Sequence, residues 1–130
     1  MKTNDKKLWS VFSEFIRLRD ADENGNISCI TCGLVRHWKK ADCGHGIPRQ
    51  HWGTKYSEKN NHAQCKRCNG FEGGKREVYK EKVDKMYGKG TWDLLDVLSR
   101  KVSKKPSQTE IDILTEYYKK EVDKLKTYKL

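Results

Sequence analysis

Residues 60–70 read NNHAQCKRCNG, a run in which two cysteines are separated by two residues and followed at once by an asparagine. Cys65 and Cys68 have a counterpart in Cys29 and Cys32 of "CITC". Each pair can turn as a knuckle that aims backbone amides at its sulfurs. Two knuckles brought together give a closed, tetrahedral four-thiolate site, which suits structural zinc. A redox role for one pair, or an iron centre, would use the same residues differently. Cys43 has no partner at knuckle spacing and reads as a packed thiol or a neighbour of the site, not a zinc ligand.

A purely structural zinc ribbon needs nothing special between its knuckles. Here "ADCGHGIPRQHWG" (41–53) and "YSEKNNHAQC" (56–65) lie there, with His45, Pro48 and Asn60 in order and Asn69 directly after Cys68. This order, Cys-x-x-Cys, His-x-x-Pro, Asn, Cys-x-x-Cys-Asn, resembles the zinc-stapled HNH nucleases of the ββα-metal fold. A closer likeness lies in "FSEFIRLRDAD", "CITCG", "CGH", "EKNNHAQCKRCN" and "GGKREVY". Together they resemble the phage lambda NinG (Rap) recombination endonucleases over roughly residues 11–125, most tightly 11–33 and 43–80.

The resemblance implies a metal-dependent endonuclease acting on branched recombination DNA, such as a Holliday junction or D-loop. The protein would be made by a phage in the bacterial cytoplasm. His45 matches the general base, since histidine titrates near neutrality. Asn60 matches the asparagine that ties the loop and orients that histidine. Asn69 matches a ligand for catalytic Mg²⁺ or Mn²⁺; an ordinary helix cap is the plainer use of the same residue. Many HNH enzymes place a metal-binding Asp directly before the base, whereas Gly44 stands there in this chain. Asp42 and His62 are the two candidates to replace it. Strand alternation sets residues 42 and 45 on opposite faces unless the chain bends at Gly44.

Composition agrees with a polyanionic partner. Lys and Arg number 28 against 18 Asp and Glu, giving +10 and a pI near 9.4. Such a surface reads phosphate backbones by charge, and so shape more than sequence. Arg49, Arg67, Lys75 and Arg76 are the candidate DNA-binding cations, the last two at a helix start. Trp38 and Trp52 read as hairpin packing, with stacking on an unpaired base as the alternative. His37 and His51 have no evident partner and read as solvated loop residues. No apolar run approaches a membrane span, and "MKTNDKKLWS" does not read as a signal peptide.

The elements that must hold these residues are mixed α and β. With hydrophobic and charged residues each at 35%, the core is lean and a metal staple is expected. The pattern predicts an α+β chain: an N-terminal helix and turn (1–26), capped by Asn4 or Asp5; a small ββα-metal, zinc-stapled core (27–74); and a helical extension (75–130). The extension would hold helices from about Lys75 to Tyr87, from a Thr91 cap, and from a Ser107–Glu110 capping box. The last helix carries Ile111, Leu114, Tyr118, Val122 and Leu125 as core packing or as a homodimer seam.

Overall fold

The first helix owes its position to one apolar stripe. In the computed structural model, which describes residues 3–130, α1 (Lys6–Asp20) buries Leu8, Phe12, Phe15, Ile16 and Leu18. Asp5 occupies the cap position but does not cap. Its carboxylate takes the Lys55 ammonium and the Tyr56 hydroxyl, each at 2.6 Å. Asn4 instead accepts from the Lys6 amide at 3.0 Å. At the other end, the Lys129 ammonium donates to the carbonyls of Leu18 and Arg19, where the helix dipole favours a cation.

Two small antiparallel sheets follow. β1 (Asn26–Ser28) pairs with β2 (Val35–His37), and β3 (Asp42–His45) pairs with β4 (Asn61–Gln64). The β3–β4 ladder sets Asp42 opposite Gln64, Cys43 opposite Ala63, Gly44 opposite His62 and His45 opposite Asn61. The register runs through Gly44 without a bulge. β4 is buried along its whole length: α1 packs against it, and Tyr79 and Tyr87 meet His62 on its other face. A short helix α2 (Trp52–Lys55) lies in the connection, and a π-helical turn Arg67–Phe71 leaves the second knuckle.

The remaining helices are α3 (Arg76–Tyr87), α4 (Thr91–Lys101) and α5 (Gln108–Lys126). Ser107 and Glu110 form the expected capping box on α5. Thr91, in contrast, is already helical. Gly90 takes the cap position with φ +95°, and the Thr91 hydroxyl turns back to the Gly88 carbonyl. The stripe of α5 is spent inside the chain. Ile111, Thr115, Tyr118 and Val122 are buried, and the Tyr118 ring meets Phe12 and Phe15 at 5.0 and 4.9 Å between centroids. Of the two uses expected for this stripe, core packing is the one seen, between the first helix and the last. A second small core joins Ile47, Tyr79, Val83 and Leu95, with Trp92 against it. Among the described residues, no helix is long and apolar enough to cross a membrane.

Candidate metal centre and basic cleft

Cys29 and Cys32 end the first hairpin's inner strand and turn, and Cys65 and Cys68 follow β4 directly. The four sulfurs lie within 4.8 Å of one another, and those of Cys32 and Cys65 are 3.8 Å apart. Zn–S bonds of about 2.3 Å in a tetrahedron give edges of about 3.8 Å, so the four sulfurs lie close enough to hold zinc. The Cys68 amide donates to the Cys65 sulfur at 3.4 Å, as a knuckle does, and no cysteine is in a disulfide. The Ile30 amide donates to the Ala63 carbonyl, which binds the first knuckle to β4. Four thiolates leave no open position, so the group suits holding chain segments together and not chemistry.

On the other side of β3, a cleft of about 570 Å³ opens between α1 and the turn after Cys68. Trp9, Ser13 and Arg17 of α1 form one wall; Asp42, Cys43 and His45 of β3 form the floor; Lys66 and Asn69 close the far side, with Lys39 and Arg49 at the margins. His45 sits at the end of β3, edge-on to the Trp9 ring at 5.4 Å between centroids. Burial, then the charges of Arg49, Arg76 and Lys55, push its pKa down to about 4, with Asn61 across the ladder pulling the other way. The ring is neutral at pH 7. Its Nδ1 is buried without a partner among the described residues, and the residue lines the cleft.

Asp42 shares this cleft although it stands an odd number of residues from His45. Its carboxylate accepts from Lys66 Nζ at 2.7 Å and from Asn69 Nδ2 at 3.1 Å. The cause of the glycine at 44 is steric. A Cβ there would run into the Gln64 side chain, which is fully buried and held by Thr31 and the Gly74 carbonyl. An acidic side chain directly before His45 has no room.

Asn60 is fully buried and locks the loop that follows His45. Its Oδ1 accepts from the Ile47 amide at 2.8 Å, and its Nδ2 donates to the carbonyls of Ile47 and Thr54. It acts on the backbone after His45 and not on the ring. Its neighbour Asn61, opposite His45, ties Lys55 and Ser57 in the same way and accepts from the Cys43 thiol. Burial pushes that thiol up to about 12, so Cys43 stays protonated in the core.

His62 lies on the other face of the ladder. Its Nδ1 is 3.1 Å from the Tyr79 hydroxyl and its Nε2 is 2.7 Å from that of Tyr87. Tyr79 donates to the Gly44 carbonyl at 2.7 Å, so its oxygen accepts from Nδ1–H of His62. Both ring nitrogens are thereby used, and His62 borders a different pocket, with Asp20 and Asp22. The structure brings His45, Asp42 and Asn69 together and leaves His62 apart.

The four arginine and lysine candidates also separate. Arg49 lines the cleft and stacks over Trp9, 5.4 Å from its ring centroid. Arg67 and Lys75 border the outer face of the cysteine cluster. Arg76 donates to the Gly46 carbonyl at 3.1 Å, behind His45. His37 is not a solvated loop residue: it caps the short turn that follows it and reaches the Leu130 carbonyl. Trp38 is 5% exposed and packs under Arg17 and Lys39.

A family model described as bacteriophage lambda NinG protein matches residues 1–128. The chain belongs to the NinG family. A comparison with curated proteins gave no match, and one with solved structures gave none. The cleft contains three cations, Arg17, Lys39 and Lys66, that the sequence did not place there. Only the overall charge announced them, because which lysines face one cleft depends on how α1 crosses β3.

Proposed function

We propose that this NinG protein is a metal-dependent endonuclease of the HNH type that cuts branched DNA. The β3–β4 hairpin and the turn after Cys68 serve as its ββα-metal core. One observation carries the reading: a neutral, half-buried His45 opens with Asp42 and Asn69 into one cation-rimmed cleft beside a four-cysteine cluster.

In this reading His45 Nε2 takes the proton from the attacking water. Its lowered pKa keeps that nitrogen free at neutral pH, and Trp9 and the Asn60-locked loop fix the ring. Asp42 and Asn69 would hold Mg²⁺ or Mn²⁺, an oxygen-seeking cation; turning the Asn69 amide over offers its Oδ1. That ion, when bound, neutralises the phosphate and the leaving 3′ oxygen. Lys66, whose side chain is 68% exposed, is free to leave Asp42 for a phosphate. Asp42 thereby takes the part of the acid that Gly44 excludes. Arg49, Arg17 and Lys39 carry the DNA backbone along the cleft.

Labelled four-way junction, D-loop, single-strand and duplex DNA, incubated with Mg²⁺ or Mn²⁺, test this directly. Wild type should cut the branched substrates and His45→Ala should not, with zinc content and DNA affinity unchanged. Tight binding without cutting under either metal would leave a non-catalytic zinc-stapled DNA-binding or recombination accessory protein.

A further inference from the structure

Phe71 is 93% exposed, the most exposed large apolar side chain among the described residues. Large rings are seldom left so bare without use. Its position is not that of a free loop tip. Phe71 ends the π-helical turn whose second residue is Cys68, so its backbone issues from the cysteine cluster. The Glu72 amide donates to Arg67 and the Gly74 amide to Cys68, closing the turn beneath it. Gly73 and Gly74 then reverse the chain at φ +60° and +85°, with open space around both. The ring is held out from an anchored backbone.

Its neighbours in the chain are three cations and one anion, Glu72, which pairs with Arg67 at 3.5 Å. Lys66 and Arg67, with side chains 68% and 79% exposed, precede it, and Lys75 follows the glycines. Asn69, on the cleft, is two residues away, a chain distance of at most about 7 Å. A phosphate held at Asn69 would therefore have Phe71 two residues away along the chain. A bare ring with lysine and arginine close to it in the chain is a pattern of side chains that stack on unpaired bases or wedge between base steps. Of the two tryptophans considered for that part, Trp38 is buried, and Trp52 is half-buried with Lys55 and Lys105 over its ring.

We infer that Phe71 is a base-stacking wedge that engages an unpaired or unstacked base beside the scissile phosphate. It would give this protein its preference for branch points over intact duplex. The inference rests on the nuclease reading for its substrate, but its readout is binding.

The experiment compares wild type, Phe71→Ala and Phe71→Trp in Ca²⁺, which does not need to support cutting. Affinities are measured for a four-way junction, a duplex with one bulged adenine, and the matched duplex, across a salt series. Phe71→Ala should lose about tenfold in preference for the junction and the bulge. Its duplex affinity, zinc content and salt slope should stay those of wild type, because a ring neutralises no phosphate. Phe71→Trp should restore the preference. Equal preference in wild type and Phe71→Ala would overturn the wedge while leaving the nuclease reading intact. A wild type that binds none of these DNAs would overturn both and turn the ring into a protein-docking residue.

Discussion

Asn69 Nδ2 lies 3.1 Å from Asp42 Oδ2, and this bond joins the turn after the second knuckle to the start of β3. Two groups from distant parts of the chain thus share one point at the cleft edge, with Lys66 on the other carboxylate oxygen. If they hold the divalent ion, Asp42→Asn and Asn69→Ala should each raise the Mg²⁺ concentration needed for half-maximal cutting by about 10–100-fold. Saturating Mn²⁺ should recover part of the loss. Metal titrations of cleavage on one junction substrate decide it, and an unchanged requirement in Asp42→Asn would remove Asp42 from the site.

His45 and His62 are both neutral in the fold, with pKa values pushed down to about 4 chiefly by burial. The unfolded chain protonates them near 6.5, so it binds more protons than the folded one between those values. Their contribution to stability is therefore complete above about pH 6.5 and is lost as pH falls toward 4. Melting temperature against pH should fall through this window in wild type and fall less steeply in His62→Gln. For the same reason the kcat/KM profile of cleavage should not turn down at 6.5, the ordinary histidine value, but at a lower pH.

Gly44 is glycine because Gln64 fills the space where a side chain would go. Gly44→Ala should cost about 1–3 kcal/mol by overpacking, measured by denaturant unfolding. Gly44→Asp, which recreates the more common HNH sequence, should lower stability and not raise activity. A more active, equally stable Gly44→Asp protein would show that the cleft has a different floor.

Cys65 supplies one corner of the cluster and also receives the Cys68 amide. Cys65→Ser should release zinc and unfold residues around both knuckles, since metal binding and folding are one equilibrium in such sites. A strong chelator should act on wild type in the same direction. Zinc stoichiometry together with limited proteolysis would show it, and a folded, zinc-loaded Cys65→Ser protein would contradict the four-thiolate centre.

The parts of this molecule that were legible in its sequence are those set by local spacing. Two Cys-x-x-Cys pairs announce a metal centre because a knuckle is made by four consecutive residues. The Ser107–Glu110 box announces α5 for the same reason. What could not be read depends on packing between distant segments. His62 looked like a ligand because it stands near Asn60, yet its partners Tyr79 and Tyr87 lie on α3, 17 and 25 residues on. Asp42 looked misplaced by strand alternation, yet it lines the cleft at the strand's first position. Phe71 carries no sequence signal, since exposure is a property of the finished fold.

The internal seam between α1 and α5 has a consequence for how the cleft comes into being. Trp9, Ser13 and Arg17 form one wall of the cleft from α1, whose opposite side is covered by α5. Residues some hundred positions apart must meet before that wall is fixed, as in the Lys129–Leu18 bond. Such non-local closure comes late in folding, because a long loop must be ordered before its contacts form. All four cysteines of the cluster lie within residues 29–68, whereas the wall facing His45 is fixed only when α5 packs on α1. The four corners of the cluster are thus close neighbours of the β hairpins, whereas the cleft is complete only when α5 has closed on α1.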